Sequence, residues 1–379
     1  MVNKKRVFRK IGSVFKKSLL APSLIGGALL TQALMIPTAT AFTTLETPVQ
    51  YIPLTGPLAK GESEMSALTW CDDTLVIFPQ YPDFQGRKNA SVYTLKKSDI
   101  LDFLRNQNSI SITAEPSTDV KTNNFGIAKN TFTALTPKAL KVKGNKLLRS
   151  ASGYEGIEAA VCENNQLTLA LELDRLGGSE ATQLVKAHLE DNKLVIDALG
   201  QTLPSPSGIG NKGNEALVKT ANGLLSIHEV NDFEVMNNDP IAFYLESFDA
   251  NYTEIPFVNL SYRITDATTL DAENKFWVIN YQYQGDKTLS KTNDDYGKKY
   301  GKGLSQQKRN YVERLVELQL TEHGVIFTET PPIQLQLTGK DGRNWEGIVR
   351  LDDIGFLLVT DKHPQSLLGF VPFNKDLNH

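Results

Sequence analysis

The sequence predicts an all-β protein, a β-propeller built from five or six four-stranded blades. The main observation is a unit of two apolar strands joined by a turn, which recurs five times along the 379 residues. Its first strand opens at Ser66, Glu155, Glu215, Asp266 or Glu346, and its second strand ends at Gln80, Glu172, Glu229, Tyr281 or Asp361. Because one hairpin cannot bury both of its faces alone, such a repeat indicates stacked or radially arranged sheets.

Each unit continues with strand-like runs that would complete a four-stranded blade. In unit two, residues 181–189 and 193–199 surround an Asp-Asn hairpin turn, and two more such runs fall within 312–329 of unit four. Apolar central strands and outer strands with alternating charge fit blades packed around an axis. The five units predict five blades, and the 89 residues between Ser66 and Glu155 leave room for a sixth.

Three segments outside the paired strands shape the predicted ring. The last unit is short, since only the apolar run 366–373 follows its second strand, so we expect the N-terminal run 49–54 to supply the missing strand and close the ring. Residues 98–108 predict a short helix with Ser98 as its N-cap. Residues 289–310 predict a polar loop inserted between the second and third strands of unit four.

Residues 1–41 predict a secretory signal peptide that is cleaved before Phe42. Basic residues precede an uncharged apolar run at 19–37, and a small-x-small cleavage sequence follows it at 39–41. An uncleaved anchor is the alternative, because the run approaches the ~20 residues that span a bilayer. We expect residues 42–379 to form a single propeller domain that is periplasmic or secreted and does not contact the membrane after cleavage.

The net charge of the exported chain indicates which partners it can bind, and its two cysteines raise the question of a disulfide. The first 41 residues hold seven basic residues and no acid, so the formal charge of −3 becomes −10 after cleavage. An acidic surface argues against nucleic acid as a partner, and it suits a cation site or simple solubility. Cys71 and Cys162 follow the first strands of units one and two, and both a disulfide between these units and two separate thiols fit this placement. The oligomeric state stays open.

The acids that open the inner strands are the predicted metal site. The first strand of each blade lines the central channel of a propeller, so these side chains converge on the axis. Converging carboxylates disfavour joint ionisation unless a cation is shared, and Ca²⁺ is the cation we expect. The metal candidates are Glu155, Glu215, Glu346, Glu64, Asp266 and Glu172. The alternative is that each acid caps backbone N–H groups or pairs with a lysine of the adjacent blade.

The residues that end the second strands predict a rim around one mouth of the channel. The second polar residue follows the first by 14 to 17 residues, so a hairpin returns it to the same end of the blade. His228 stands beside Glu229, and His363 stands two positions beyond Asp361, where either imidazole would serve as a general base near neutral pH. The catalytic candidates are Asp361, His363, His228 and Glu229. The sequence contains no Gly-x-Ser-x-Gly motif, which argues against a serine hydrolase of the α/β type.

Two segments of the repeat resemble a known family. Residues 153–172, which open with Gly-Tyr-Glu-Gly-Ile-Glu-Ala, and residues 344–363, which open with Asn-Trp-Glu-Gly-Ile-Val-Arg, resemble the repeats of bacterial exported proteins named for the esterase-like activity of phytase. The resemblance covers most of residues 60–373. It implies a calcium-binding β-propeller that acts on phosphate or other esters outside the cytoplasm. The chain departs from what a highly anionic substrate requires, because few Lys or Arg residues lie near the rim.

Two functions are therefore predicted. In the first, the protein is a metal-dependent hydrolase of a small ester or phosphoester: Glu155, Glu215 and Glu346 hold the cation, the cation activates water, and Asp361 or His363 moves the proton. In the second, the acids are structural and the propeller is a non-enzymatic binding or scaffold protein. The sequence leaves open whether the chain is an enzyme.

Overall fold

The structure of the protein is a computed structural model. It describes residues 45–60, 63–83, 90–111, 134–174, 180–283, 285–289, 293–309, 311–363 and 365–373. The predicted signal peptide lies outside these ranges and stays a prediction. Among the helices within them, none is long and apolar enough to cross a membrane.

The first two blades follow two short N-terminal strands. These strands are β1 (Glu46–Thr47) and β2 (Gln50–Ile52), and a 3₁₀ helix at Gly56–Ala59 comes next. Blade one contains β3 (Met65–Cys71), β4 (Thr74–Pro79), β5 (Ser91–Lys96), helix α1 (Lys97–Ser111) and β6 (Lys138–Lys143). After α2 (Asn145–Leu148), blade two contains β7 (Tyr154–Glu163), β8 (Gln166–Leu173), β9 (Ala181–Glu190) and β10 (Lys193–Pro204).

The remaining three blades complete the chain. Blade three contains β11 (Asn214–Thr220), β12 (Gly223–His228), β14 (Ile241–Leu245) and β15 (Thr253–Pro256). The connection from β12 to β14 holds β13 (Val230–Asn231), which pairs with the first strand of blade four, and α3 (Phe233–Met236). Blade four contains β16 (Leu260–Ala267), β17 (Lys275–Gln282), α4 (Asp295–Tyr300), α5 (Leu304–Gln307), β18 (Val312–Thr321), β19 (Gly324–Phe327) and β20 (Ile333–Leu335). Blade five contains β21 (Trp345–Leu351), β22 (Gly355–Thr360) and β23 (Leu368–Pro372).

The innermost strands form a closed ring, which makes the fold a β-propeller. Strands β3, β7, β11, β16 and β21 contact one another in this order, and β21 contacts β3 again. The described residues therefore form five blades, and the interval that left room for a sixth contains α1 and β6. Blades one and two share one eight-stranded sheet, because their outer strands β6 and β10 pair in parallel. This pairing removes two exposed sheet edges.

The N-terminal segment completes the ring as predicted. Strand β2 pairs antiparallel with β23, with Gln50 opposite Phe370 and Ile52 opposite Leu368, so it is the fourth strand of blade five. Strand β1 pairs in parallel with β20 of blade four. The first described strands therefore hold the last two blades together.

The apolar core is divided among the interfaces between neighbouring blades. Separate clusters fill the contacts of blades one and two, two and three, three and four, four and five, and five and one. Helix α1 adds Ile100, Phe103 and Leu104 to the last of these clusters, which confirms the predicted helix. The predicted cap is wrong, because the helix already begins at Lys97, and Ser98 Oγ bonds the carboxylate of Asp99 instead.

Two other features settle or revise the sequence predictions. A disulfide joins Cys71 of β3 to Cys162 of β7, so the two thiols are bridged between blades one and two. The segment 289–310 does lie between the second and third strands of blade four, but it contains α4 and α5 rather than a plain loop. Its Asp294 caps α4 by accepting a hydrogen bond from Gly297 N at 2.8 Å, and it forms an ion pair at 2.8 Å with the fully buried Arg314.

Candidate functional site

Each inner strand breaks its pairing with the second strand at a polar residue. In blades one to five the register shifts at Ser66, Glu158, Glu215, residues 265–266 and Glu346. A β-bulge removes the extra residue from the ladder and re-aims its side chain. The polar residue that opens each repeat in the sequence is therefore a bulge at an equivalent place in each blade.

In blade two this place belongs to Glu158 and not to Glu155. Strand β7 extends beyond the bulge towards its N-terminal end, and Glu155 lies there, at a second register shift. The Glu155 side chain is half-buried, and its Oε2 accepts a hydrogen bond from Tyr81 Oη at 3.3 Å. Glu158 is the buried counterpart of Glu215, with only 3% of its surface exposed.

The sequence contains a signal for this correction. Glu158 precedes Glu172 by 14 residues, as Glu215 precedes Glu229, whereas Glu155 precedes Glu172 by 17. Hairpins with the same turn length return after the same number of residues. The constant 14-residue spacing therefore identifies the bulged acid of a blade better than the Glu-Gly-Ile motif that blades two and five share.

Glu158 is held by neighbours from blade one. Ser66 Oγ donates to its Oε2 at 2.9 Å, and Gln80 Nε2 donates to its Oε1 at 3.0 Å. Burial raises the pKa of Glu158 well above its usual value, and the charges of other channel acids raise it further. Gly156 leaves the space for this arrangement: its φ is +149°, and a Cβ there would lie 2.3 Å from Gln80 Cγ and 2.8 Å from Glu158 Oε1.

Asn344 joins two carboxyl groups of blade five. Its Nδ2 donates to Glu346 Oε1 and, at 3.4 Å, to Asp361 Oδ2, while its Oδ1 accepts from Arg263 Nη1 at 3.5 Å. Burial raises the pKa of Glu346 to about 8, and the negative charge of Asp361 acts in the same direction. Arg263 also donates from Nε to Glu229, so one hydrogen-bonded path connects blades three, four and five.

The acids of blades two and three outnumber the cations near them. Glu229 is fully buried between Arg263 and Lys212, whose Nζ lies 3.4 Å from its Oε2. Burial, followed by the charge of Glu229, raises the pKa of Glu172 to about 7. The same two causes raise the pKa of Glu215 well above its usual value. Protons therefore supply much of the charge balance in the channel.

Two predicted metal ligands have different surroundings. Glu64 lies at the rim, where its Oε1 accepts a hydrogen bond from Lys362 Nζ at 2.6 Å. Asp266 is buried and accepts backbone N–H groups with both oxygens, from Ile348 of blade five and from Ala267, each at 2.8 Å. Asp266 therefore joins blades four and five, as the alternative of backbone capping predicted.

The two predicted histidines lie in different environments. His363 lines a pocket at the mouth of the channel, close to Asn344. His228 is fully buried, and its Nε2 lies 2.9 Å from Ser207 Oγ. Burial lowers the pKa of His228 to about 4, so its ring is neutral at neutral pH.

A pocket of about 340 Å³ opens at this mouth beside the blade-five carboxyl pair. It is lined by Arg263, Tyr281, Tyr283, Tyr311, Asp341, Gly342, Asn344 and His363. The repeat pattern predicts Tyr281 and His363 as rim residues but gives no prediction for Arg263 or Asn344. Arg263 lies in the middle of β16 and Asn344 precedes β21. Neither residue stands at a position that recurs in the repeat, so the repeat did not indicate them.

The side chains do not assemble the predicted calcium site. Across the described ranges, no three or more Asp, Glu, His or Cys side chains stand close enough together to share a metal ion. Glu172, Glu215 and Glu346 do lie within electrostatic reach of common neighbours, but Asp266 and Glu155 have partners of their own. The described residues in this arrangement do not fit a shared calcium ion.

Comparison with known proteins gives similarity in fold alone. No protein-family model and no curated protein sequence matches the chain. Similar solved structures include a glucose dehydrogenase, with 11% identity over 85% of this chain and 98% of that chain at a TM-score of 0.41. A GH43_1 enzyme from Xanthomonas citri has 10% identity over 85% and 92% at 0.44, and the soluble aldose sugar dehydrogenase from Escherichia coli has 10% over 86% and 99% at 0.37. The resemblance to the phytase-like esterase family therefore stays a prediction.

Proposed function

We propose that the mouth of the channel is the active site of a hydrolase that cleaves an ester bond in a small molecule. The observation that carries the proposal is the pair Glu346 and Asp361, which Asn344 holds through one amide beside the 340 Å³ pocket. A pair of carboxyl groups in unlike environments is a recurring arrangement for combined acid and base catalysis. Glu346 is buried, whereas Asp361 is half-exposed at the rim.

The two carboxyl groups would divide the proton transfers of the reaction. Because its pKa is about 8, Glu346 keeps its proton near neutral pH and can donate it to the leaving oxygen. Asp361 would take a proton from the water that attacks the ester carbon. Arg263, held by Glu229, would orient the substrate from the pocket wall.

The charge at the mouth favours a neutral ester over a phosphoester. The cations Lys212, Arg263 and Lys362 are each already paired with an acid. An anionic phosphate would meet the excess of carboxyl groups without free positive charge to hold it. The predicted phosphoester substrate is therefore the second choice.

The test is hydrolysis of p-nitrophenyl acetate and p-nitrophenyl phosphate by the full chain, with and without added calcium. We expect Glu346→Gln and Asp361→Asn to lower kcat/KM for the acetate by about 100-fold or more, because each removes one proton-transfer group. The control is Asp353→Asn, an exposed acid in the turn at the opposite end of the same hairpin, which should keep the wild-type rate. Unchanged rates in both site variants would overturn the proposal.

A binding or scaffold propeller is the second candidate, and one observation favours it. Both carboxylate oxygens of Asp266 accept backbone N–H groups, one of them from blade five, which is typical of a structural residue. In that case the wild-type chain would hydrolyse neither ester. Glu346→Gln would then raise thermal stability above about pH 8, where the buried acid loses its proton and the amide stays neutral.

A further inference from the structure

A serine and a histidine meet on the blade-three side of the mouth, away from the carboxyl pair. Ser207 lies in the connection between β10 and β11, and His228 ends β12. Ser207 Oγ lies 2.9 Å from His228 Nε2, and Ser205 Oγ lies 3.5 Å from the same nitrogen. A hydroxyl and an imidazole within about 2.6–3.2 Å form the basic unit of an activated serine nucleophile.

The His228 ring can accept a proton from Ser207. The ring is fully buried, and this burial keeps it neutral near pH 7. Nε2 is the accepting nitrogen in the tautomer that carries its proton on Nδ1, an atom with no hydrogen-bond partner within the described residues. The titratable groups that act on the ring are Glu229, which favours the protonated form, and Lys212, which opposes it, while the Gly213 carbonyl also favours protonation.

Ser207 is partly accessible to solvent. Its side chain is half-exposed, and its hydroxyl accepts a hydrogen bond from Ile209 N at 3.2 Å. Ser205 differs, because its hydroxyl donates to the Lys212 carbonyl at 3.0 Å.

We propose that Ser207 is a nucleophile activated by His228 and that it accepts an acyl group from a neutral ester. The site is separate from the Glu346 and Asp361 pair and does not depend on the function proposed for that pair. Neutral esters are the expected class because the partners of Ser207 Oγ within the described residues carry no charge: they are Ser205 Oγ, Ile209 N and the neutral His228 ring.

The acyl transfer proceeds in two balanced halves. Ser207 Oγ bonds to the ester carbonyl carbon as its proton moves to His228 Nε2. The bond from carbon to the alkoxy oxygen then breaks, and the alcohol leaves with that proton. Water attacks the acyl carbon in the second half and gives one proton through His228 to Ser207 Oγ, which releases the carboxylic acid.

The test is covalent labelling of the full chain with a neutral alkyl fluorophosphonate, followed by mass spectrometry of its peptides. The probe forms a bond from Oγ to phosphorus and releases fluoride, so it reports the nucleophile without requiring turnover. We expect the label on the peptide that contains Ser207 and its loss in Ser207→Ala. Ser205→Ala is the matched control, and it should keep the label. His228→Gln should slow labelling by about 100-fold or more, because it removes the base.

A cysteine comparison keeps the proposal falsifiable if His228→Gln fails to fold. The Ser207→Cys thiol, beside the imidazole, should react with iodoacetamide faster than the Ser205→Cys thiol. An unlabelled wild-type chain, equal labelling of Ser207→Ala, or equal alkylation of the two thiols would overturn the proposal. Labelling should persist in Glu346→Gln. Ester hydrolysis that is unchanged in Glu346→Gln, with labelling intact, would contradict only the function proposed for the carboxyl pair. Ester hydrolysis that is lost in Glu346→Gln, with the wild-type chain unlabelled, would contradict only this one.

Discussion

At the scale of single residues, the channel is governed by how buried carboxyl groups are neutralised. A carboxylate removed from water must find a cation, hydrogen-bond donors or a proton. Glu229 has Arg263 and Lys212, whereas Glu158 has Ser66 and Gln80. Glu172 and Glu346, whose pKa values rise to about 7 and about 8, hold protons, and this has consequences for stability and for activity.

The first consequence is that the protein should lose stability as pH rises from about 6.5 to 8. Glu172 and Glu346 have pKa values of about 7 and about 8 in the folded chain, against 4.5 when unfolded. The folded chain therefore binds more protons than the unfolded chain in this range, and stability falls with rising pH until the folded chain has lost these protons too. His228, whose pKa falls from 6.5 to about 4 on folding, acts in the opposite direction, but only below pH 6.5.

Urea unfolding at half-unit pH intervals measures this dependence. We expect the free energy of unfolding to fall by roughly 1–2 kcal/mol per pH unit between pH 6.5 and 8. Glu346→Gln should flatten the slope, while Asp353→Asn should leave it unchanged. A free energy of unfolding that stays constant or rises over this interval would contradict the assignment of protons to these carboxyl groups.

The second consequence concerns activity at alkaline pH. If Glu346 donates the proton to the leaving group, kcat/KM for p-nitrophenyl acetate should decline as pH rises through about 8, because the acid form disappears. Rates corrected for spontaneous hydrolysis between pH 6 and 9.5 measure this limb. A rate that keeps rising to the end of that range would exclude Glu346 as the acid.

At the scale of the strand, the bulge determines where each polar side chain lies. A bulge requires room beside it, and in blade two Gly156 supplies that room. We expect Gly156→Ala to lower the free energy of unfolding by about 2–4 kcal/mol, because its Cβ would displace Gln80 and leave Glu158 with fewer donors. Gly210→Ala is the control, since its Cβ would meet only one atom, at 3.8 Å. Equal stability of the two variants, measured by urea unfolding, would contradict this role.

Sequence spacing predicted the elements better than it predicted the residues within them. The sequence predicted the five hairpins, helix α1 and the closing strand, because each depends on local apolar patterning and turn residues. The prediction of Glu155 as the channel acid of blade two was wrong. Strand β7 has two register shifts, at Glu155 and Glu158, and the amino-acid sequence alone does not show which of these acids faces the channel. Asn344 and Arg263 had no signal in the repeat, since their role arises from contacts between blades.

At the scale of the molecule, the ring is held by links between blades that are distant in sequence. The disulfide of Cys71 and Cys162 spans 91 residues and joins blades one and two. We expect the double variant Cys71→Ser, Cys162→Ser to be less stable by about 2–5 kcal/mol, because the unfolded chain regains the freedom of a long loop. Urea unfolding of the oxidised wild type, the reduced wild type and the double variant measures this. Equal stability of the oxidised and reduced wild type would contradict it.

The sequence by itself determined the architecture: repeated hairpins that cannot bury their faces alone, a short final unit and an N-terminal strand to complete it. It also determined that an acidic or hydroxyl residue recurs at one position of each unit. Only the tertiary structure decided what those acids do, because burial, charge sharing and hydrogen bonds between blades act between residues far apart in the chain. The ring therefore gives Asp266 a structural role, protons to Glu172 and Glu346, and a serine partner to His228.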